Sequence, residues 1–545
     1  MTGRAGALSR LPLWLVLTGL AGGAYLAVSA AGGGAAGFPL DDAWIHQTYA
    51  HNLGTAGEWA FLPGHTSAGS TAPLWSLLLS LGYRLSLPPL AWTYALGVVA
   101  LGATAWLAAG LAADFFPGRS FVAWLAGLLC VAEWHMVWAA VSGMETALYA
   151  CLALAVVRLA YDTPHHVSTR SQWICGPRPG PPDCKSGGSV EGSMLAPRLS
   201  FDICHLRFAL LGFVGGLLVL TRPEGLVLIG LAALATGWQL RRDARRLLVG
   251  WAALALGLAL PLAPYLAFHY STTGLPFPNT FYAKQQEYRA LLELYPLWQR
   301  WPAMAGVTLV GAGVLLVPGF VFAVVRSLRR GDGRRRGILL LAAWWLVHLT
   351  LYALWLPVTY QHGRYQMPVI PAFLLIGVGG TAALVDAVRH PLFGRVLRRV
   401  AVAATGLVCV VFLAVGARAF ASDVGFVQGE MVATARWLAD NAPADSLIAV
   451  HDIGAVGYFA PRRLLDLAGL VTPQVIPFIT DEALLMAFMR SQGADYVVFF
   501  PDWSAAYGRM ARDPRLELVH TTGYAWTREQ GRANMAVYRF DRTLQ

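Results

Sequence analysis

Two adjacent carboxylates, Asp41 and Asp42, open the polar stretch FPLDDAWIHQTYAHNLGTAGEWAFLPGHTSAGSTAPLW, which follows one apolar segment and precedes many others. Charge beside a bilayer is costly to place and commonly marks chemistry. A carboxylate can act as a general base or bind a metal. Arginine can hold a phosphate with its planar fork, and lysine can hold it as a point charge. Cations and further polar groups recur at later boundaries of apolar segments. Glu145 lies in EWHMVWAAVSGMETALY, and Arg222 and Glu224 lie in TRPEG. Asn279, Tyr282 and Lys284 lie in STTGLPFPNTFYAKQQEYR, and His362, Arg364 and Tyr365 lie in TYQHGRYQMP. His46 is another polar candidate, and Trp44, Tyr49, Trp59 and Trp138 could stack on sugar faces. A base, phosphate-holding cations and a lipid-facing cavity together suit group transfer from a polyprenyl-phosphate donor. The base would take a proton from an acceptor hydroxyl while the cations stabilise the leaving phosphate.

Each residue also has a plainer reading. Asp41 and Asp42 could cap a helix, Arg222 and Glu224 could simply pair, and Arg364 could anchor an interface. The histidines could be hydrogen-bonded surface groups, and the aromatics could form an interfacial belt.

The elements that would position these groups follow from composition. The chain has 545 residues, 56% of them hydrophobic and only 13% charged, where a soluble protein would carry about a quarter charged. Apolar runs of spanning length recur, so an all-α polytopic membrane protein is expected. The reading gives eleven spans, near 12–30, 91–112, 120–136, 145–161, 207–221, 225–240, 248–270, 303–325, 337–357, 366–387 and 400–418. The first is read as a span, although AVSAAGGGAAG after it resembles a cleavage site. The stretch 73–87, PLWSLLLSLGYRLSL, is too short to cross and reads as an interfacial helix.

The formal charge of +11 has a topological explanation. With the N-terminus cytoplasmic, RRDARR, RSLRRGDGRRR and RHPLFGRVLRR all fall inside, as the positive-inside rule requires. Nucleic acid is not needed as a partner. The same topology puts all the candidate site residues outside.

Residues 1–418 thus read as the transmembrane catalytic domain, with a first outer loop at 31–90, and residues 419–545 as a small extracytoplasmic α/β domain. In the latter, MVATARWLADNAP reads as a helix and DSLIAVHD, ADYVVFFP and MAVYRF as short strands. The segment 162–204, rich in Pro, Gly and Ser, reads as a disordered cytoplasmic insert. None of the six cysteines forms a CxxC pair, which argues against a zinc or disulfide framework.

The order of these pieces resembles the GT-C superfamily of integral-membrane glycosyltransferases, and most of all the terminal arabinofuranosyltransferase family and its bacterial relatives. The resemblance rests on DDAWIHQTYAHNLGTAGEWAFLPG, STAPLWSLLLSLGYRL, SGMETALYA, TRPEG, LPFPNTFYAK, GRYQMPVIP and HDIGAVGYFAPRRLLDLAGLV. It implies a GT-C fold and a multi-pass protein of the inner (plasma) membrane. It implies inverting transfer of a sugar, arabinofuranose for the nearest family, from polyprenyl phosphate to a glycan, lipid or protein acceptor on the outer face. By the same resemblance Asp41 would be the base, with Asp42 and Glu145 in support or, if a divalent metal (Mg or Mn) is used, binding it. Arg222, Lys284 and Arg364 would hold the donor phosphate. Trp44, Tyr49, His46, Glu224, Asn279, Tyr282, His362 and Tyr365 are the expected substrate-binding residues. Asp466 and HDIGAVGYF would shape the acceptor site.

Three alternatives compete: a mannosyl- or hexosyltransferase of the same fold, a lipid-linked sugar flippase or transporter, and a non-catalytic scaffold. A transporter would need polar residues through the bilayer midplane, where these spans carry almost none.

Overall fold

The computed structural model describes residues 10–32, 36–171, 195–275, 278–329 and 333–543. The chain is built mainly of helices, and each of the eleven predicted spans falls on helical segments. Among the described residues six helices are long and apolar enough to cross a membrane alone, and a bent pair makes a seventh. The expected insert 162–204 lies largely outside the described residues.

The first span is α1 (Leu11–Ala31), and the acidic pair opens α2 (Asp41–Ala56). A two-stranded antiparallel ribbon, β1 (Ala60–Leu62) and β2 (His65–Thr66), leads to α3 (Pro73–Arg84), the helix expected at 73–87. One face of α3, with Trp75, Ser76 and Leu79, is buried, while Leu77 and Leu81 are exposed. That is the amphipathic pattern the sequence predicts.

Next comes α4 (Pro89–Phe115), followed by α5 (Ser120–Ala132) and α6 (Trp134–Val141), which meet at an angle of 54°. The break has a local cause. Glu133 adopts an extended backbone, and its carboxylate caps α6 by accepting from Met136 N at 2.9 Å. A capping acid starts a new helix here, so the predicted span 120–136 is broken.

The series continues with α7 (Thr146–Ser171), α8 (Leu195–Thr221), α9 (Gly225–Leu240), α10 (Ala244–Thr273), α11 (Asn279–Glu287) and α12 (Arg289–Leu294). The predicted span 303–325 is split between α13 (Leu297–Val307) and α14 (Gly313–Arg329). Then follow α15 (Gly333–Trp355), α16 (Ile370–Asp386) and α17 (Pro391–Val427). Asp386 pairs with both Arg119 and Arg398 at 2.8 Å. Two loops expected on the same side of the membrane therefore meet.

Helix α17 runs without interruption past residue 418 and turns widely at Gln428–Val432 into α18 (Ala433–Asn441). The domain beyond it holds a five-stranded sheet of order β4-β3-β5-β7-β6. The strands are β3 (Leu447–Val450), β4 (Arg463–Asp466), β5 (Tyr496–Phe499), β6 (Leu516–Thr521) and β7 (Ala536–Phe540). β3 is parallel to β4 and β5; β7 is antiparallel to β5 and β6. The three strands read from sequence are present; β4 and β6 are additions. A short helix, α19 (Ile453–Phe459), makes the β3–β4 crossover and packs on α2.

The turn at Gln428–Val432 also ties this domain to the membrane helix. Glu430 is fully buried and accepts from Thr522 Oγ1 at 2.5 Å, Asn534 Nδ2 at 2.6 Å and Met535 N at 2.9 Å. Glu430→Ala leaves those donors without their acceptor, and we expect a loss of about 3 kcal/mol or more, measured as a lower melting temperature of the purified protein.

Candidate active site

A cavity of about 790 Å³ opens where α2, the start of α9, α11, α15 and the C-terminal domain converge. Its walls differ in chemistry. Leu226, Val227, Leu351, Trp355 and Leu356, on α9, α15 and the turn after it, form an apolar wall. Arg222, Lys284 and Arg364 line a cationic region. Asp41, Glu287, His451 and Asp452 line a region with an excess of acids.

Asp41 is the first residue of α2, and its role in the fold is specific. Oδ2 accepts from Gly454 N at 2.7 Å and Oδ1 from Ala455 N at 2.8 Å. These are first-turn amides of α19, which has no cap from its own N-cap side chain, Asp452. Asp41 thus caps a helix more than 400 residues away, using both amide donors and the positive end of the helix dipole. The capping reading of Asp41 therefore holds, with the helix that it caps lying in the C-terminal domain.

The contact is close enough to require glycine. A Cβ on Gly454 would lie 2.0 Å from the Asp41 carbonyl oxygen and 2.7 Å from Oδ2. Gly454→Ala must therefore push the two elements apart. We expect a cost of about 1–3 kcal/mol, read as a lower melting temperature, with a loss of turnover larger than the loss of fold.

Burial is the main reason that the Asp41 pKa is pushed up to about 7, with the charges of Asp452 and Asp42 adding to it against the two amide bonds. A base must be unprotonated to work. If Asp41 is that base, activity is low below pH 7, where its carboxyl is protonated, and rises through about pH 7 to a plateau. A pH profile of kcat/KM tests this directly.

Asp42 behaves differently. Its side chain keeps 35% of its accessibility, because it faces the cavity. Burial would raise its pKa, but the charges of Arg364 and Lys284 outweigh it and hold the carboxyl well below the usual range. Asp42 Oδ2 accepts from Arg364 Nη2 at 2.5 Å.

The three cations converge on one tyrosine. Arg222, Arg364 and Lys284 lie 5.0, 4.9 and 5.2 Å from the centroid of the Tyr365 ring. Lys284 Nζ and Arg364 Nη2 both donate to its hydroxyl. Arg222 is also held by Glu145 at 2.6 Å and Glu224 at 3.6 Å, and Tyr352 donates to Glu224. Arg364 is buried, yet its Nε and Nη1 have no hydrogen-bond partner. Buried donors left unpaired are costly, and a phosphate oxygen is a natural acceptor for either of them.

Arg364 reaches this place through an unusual turn. Gln361 and His362 have φ of 53° and 58°, and Gly363 has φ of 71°. Left-handed backbone is unfavourable for side-chain-bearing residues and needs external support. His362 Nε2 supplies part of it, pairing with Asp423 on α17 at 2.8 Å between Trp134 and Trp138.

Asp41, Asp42, His46, Arg222, Glu224, Lys284, Arg364 and Tyr365 line the cavity. Glu145 stands behind Arg222. It also lies 3.5 Å from His46, whose pKa burial lowers despite Glu145 and Asp42. Five expected substrate-binding residues lie outside the cavity wall. Trp44 packs on Phe38, Tyr458 and Phe459, and Tyr49 bonds to Ser67 and Gly69. Asn279 donates to Leu470 O, Tyr282 packs on Phe281, and His362 supports the turn. Asp466 is fully buried and accepts from Ala468 N and Val471 N, shaping the loop whose Ala468 and Leu470 line the cavity.

The wall residues that escaped individual assignment from sequence include Glu287, His451, Asp452 and Trp503. The HD pair opening HDIGAVGYF was the available signal for two of them. Among the described residues no group of three or more His, Cys, Asp or Glu side chains is placed to hold a metal ion. Asp42 and Glu145, the candidate ligands, are each bonded to an arginine, Arg364 and Arg222.

A family model described as a domain of unknown function (DUF8728) matches residues 419–538. No curated protein matches the sequence. Among solved structures, ArnT from Cupriavidus metallidurans in the apo state is similar with a TM-score of 0.53 at 15% identity, over 91% of this chain and 93% of that one. The same protein bound to undecaprenyl phosphate aligns over 99% of this chain and 98% of that one, with a TM-score of 0.52 and 15% identity. The oligosaccharyltransferase of Archaeoglobus fulgidus, tethered with an acceptor peptide, gives 0.53 at 10% identity over 92% of this chain and 70% of that one. The chain shares the fold of these solved structures, with six or seven helices of membrane-spanning length among the described residues. The likeness to ArnT extends over nearly the whole of both chains.

Proposed function

We propose that this protein is a membrane glycosyltransferase that moves a sugar from a polyprenyl-phosphate carrier to an acceptor hydroxyl on the outer face of the membrane. The observation that carries the proposal is the order of surfaces in one cavity: an apolar wall, a cluster of three cations and then an acid with a pKa near neutrality. A lipid-phosphate sugar has the same order of parts. The prenyl chain lies along Leu226, Trp355 and Leu356, and the phosphate sits by Arg222, Lys284 and Arg364. The anomeric carbon faces Asp41.

In the reaction Asp41 takes the proton of the acceptor hydroxyl. The acceptor oxygen forms a bond to the anomeric carbon as the carbon–oxygen bond to phosphate breaks. Polyprenyl phosphate leaves, its new charge met by the cations. Direct displacement inverts the anomeric centre. Asp42 and Glu145 orient Arg364 and Arg222. The N-terminus is cytoplasmic and the C-terminal domain extracytoplasmic in this reading, the protein sits in the inner membrane, and arabinofuranose is the sugar favoured by the sequence resemblance. The test is transfer by purified protein from a panel of radiolabelled polyprenyl-phosphate pentoses and hexoses, with and without a chelator. We expect transfer from at least one donor; binding of undecaprenyl phosphate with no transfer from any of them would favour a scaffold.

A further inference from the structure

The C-terminal domain contributes a distinct end of the cavity. Its wall carries His451, Asp452 and Trp503, and Glu287 at the end of α11 faces it. No residue that this domain gives to the cavity wall is lysine or arginine; the three cations all come from the membrane domain and its loops. The imidazole of His451 is set between two acids without closing on either. Nδ1 is 3.4 Å from Asp452 Oδ1 and has no hydrogen-bond partner. Nε2 is 3.9 Å from Glu287 Oε1, beyond hydrogen-bond length. An inserted hydroxyl can donate to Glu287 and accept from Nε2. Beside it the Trp503 ring, 44% exposed, lies 5.3 Å from the imidazole. Burial would lower the His451 pKa, but Asp452 and Glu287 outweigh it and push it up to about 9, so the ring is a donor at neutral pH.

We infer that Glu287, His451, Asp452 and Trp503 form the acceptor subsite, and that it takes a neutral, hydroxyl-rich acceptor, a sugar, in preference to a phosphorylated one. This rests on the glycosyltransferase reading and names the substrate class for it. Sugars present paired hydroxyls, which carboxylates accept, and apolar C–H faces, which pack on aromatic rings. An anionic acceptor would meet Asp41, Asp452 and Glu287, whose charges outnumber that of His451, and be repelled.

The test is saturation-transfer NMR on the full chain in lipid nanodiscs. The probes are methyl α-mannopyranoside, methyl β-glucopyranoside, methyl α-arabinofuranoside and glucose 6-phosphate. We expect ring-proton saturation from at least one neutral glycoside, persisting with undecaprenyl phosphate bound. It should fall at least fivefold in Trp503→Ala, partly return in Trp503→Phe, and be unchanged in Trp238→Ala, an exposed tryptophan on α9. Any glucose 6-phosphate signal should be insensitive to Trp503 and displaced by undecaprenyl phosphate. No saturation from any neutral glycoside, or equal saturation in wild type and Trp503→Ala, overturns the inference. Undecaprenyl phosphate binding by the wild type is scored separately; its failure strikes the donor reading and leaves the glycoside result standing.

Discussion

Asp41→Asn is expected to lower sugar transfer by about 10²- to 10⁴-fold, the range for loss of a positioned general base, while undecaprenyl phosphate binding stays within about threefold. The cations that hold phosphate are unchanged, and asparagine keeps the volume. The substitution has a structural cost too. The carboxylate accepts two backbone amides, one on each oxygen. An asparagine can accept only one of them and turns its own N–H₂ toward the other, at about 1–3 kcal/mol for a buried donor left unpaired. Melting temperature and donor binding are therefore measured beside turnover. A variant that melts lower, binds undecaprenyl phosphate normally and does not transfer supports Asp41 as the base. A variant that transfers at more than a tenth of the wild-type rate removes it from that role, and the same assay on Asp42→Asn then decides between the two acids.

The second large effect concerns Arg364. Its guanidinium pairs with Asp42 at 2.5 Å, donates to the Tyr365 hydroxyl at 3.0 Å, and keeps two buried donors free of protein partners. Arg364→Gln removes the charge and the fork. We expect undecaprenyl phosphate to bind about 10- to 100-fold more weakly, equivalent to loss of about 1.5–3 kcal/mol from hydrogen bonds to a charged group. Arg364→Lys should recover only part of this, because lysine restores charge without bidentate geometry. The pKa of Asp42 should rise in Arg364→Gln, since burial is no longer opposed by that charge. A full recovery by lysine would show that Arg364 acts as a point charge only.

Much of the site was readable because membrane topology does sorting that a soluble sequence does not. Once basic loops fixed one side, the remaining polar residues at span ends had to share the other. Asp41, Asp42, Arg222, Lys284 and Arg364 do meet in one cavity although they come from four separate stretches. The residues that sequence placed less well fail for a physical reason. Trp44, Tyr49 and Asn279 are polar or aromatic near the site, but type does not say which way a side chain points. Trp44 and Tyr49 turn into packing, and Asn279 satisfies a loop carbonyl. Breaks within helices were also hidden, because Glu133 interrupts an otherwise apolar run and hydropathy averages over it. The seat of Asp41 on the Gly454 and Ala455 amides could not be read at all, since it joins positions 413 and 414 residues apart.

That long-range seat has a consequence for how the molecule matures. Synthesis delivers the membrane helices and the three cations of the cavity wall before Gly454 and Ala455 exist as chain. A partly made protein therefore has these cations but lacks the two amides that hold the Asp41 carboxylate. The seat of the first loop is completed only once the C-terminal domain has been made.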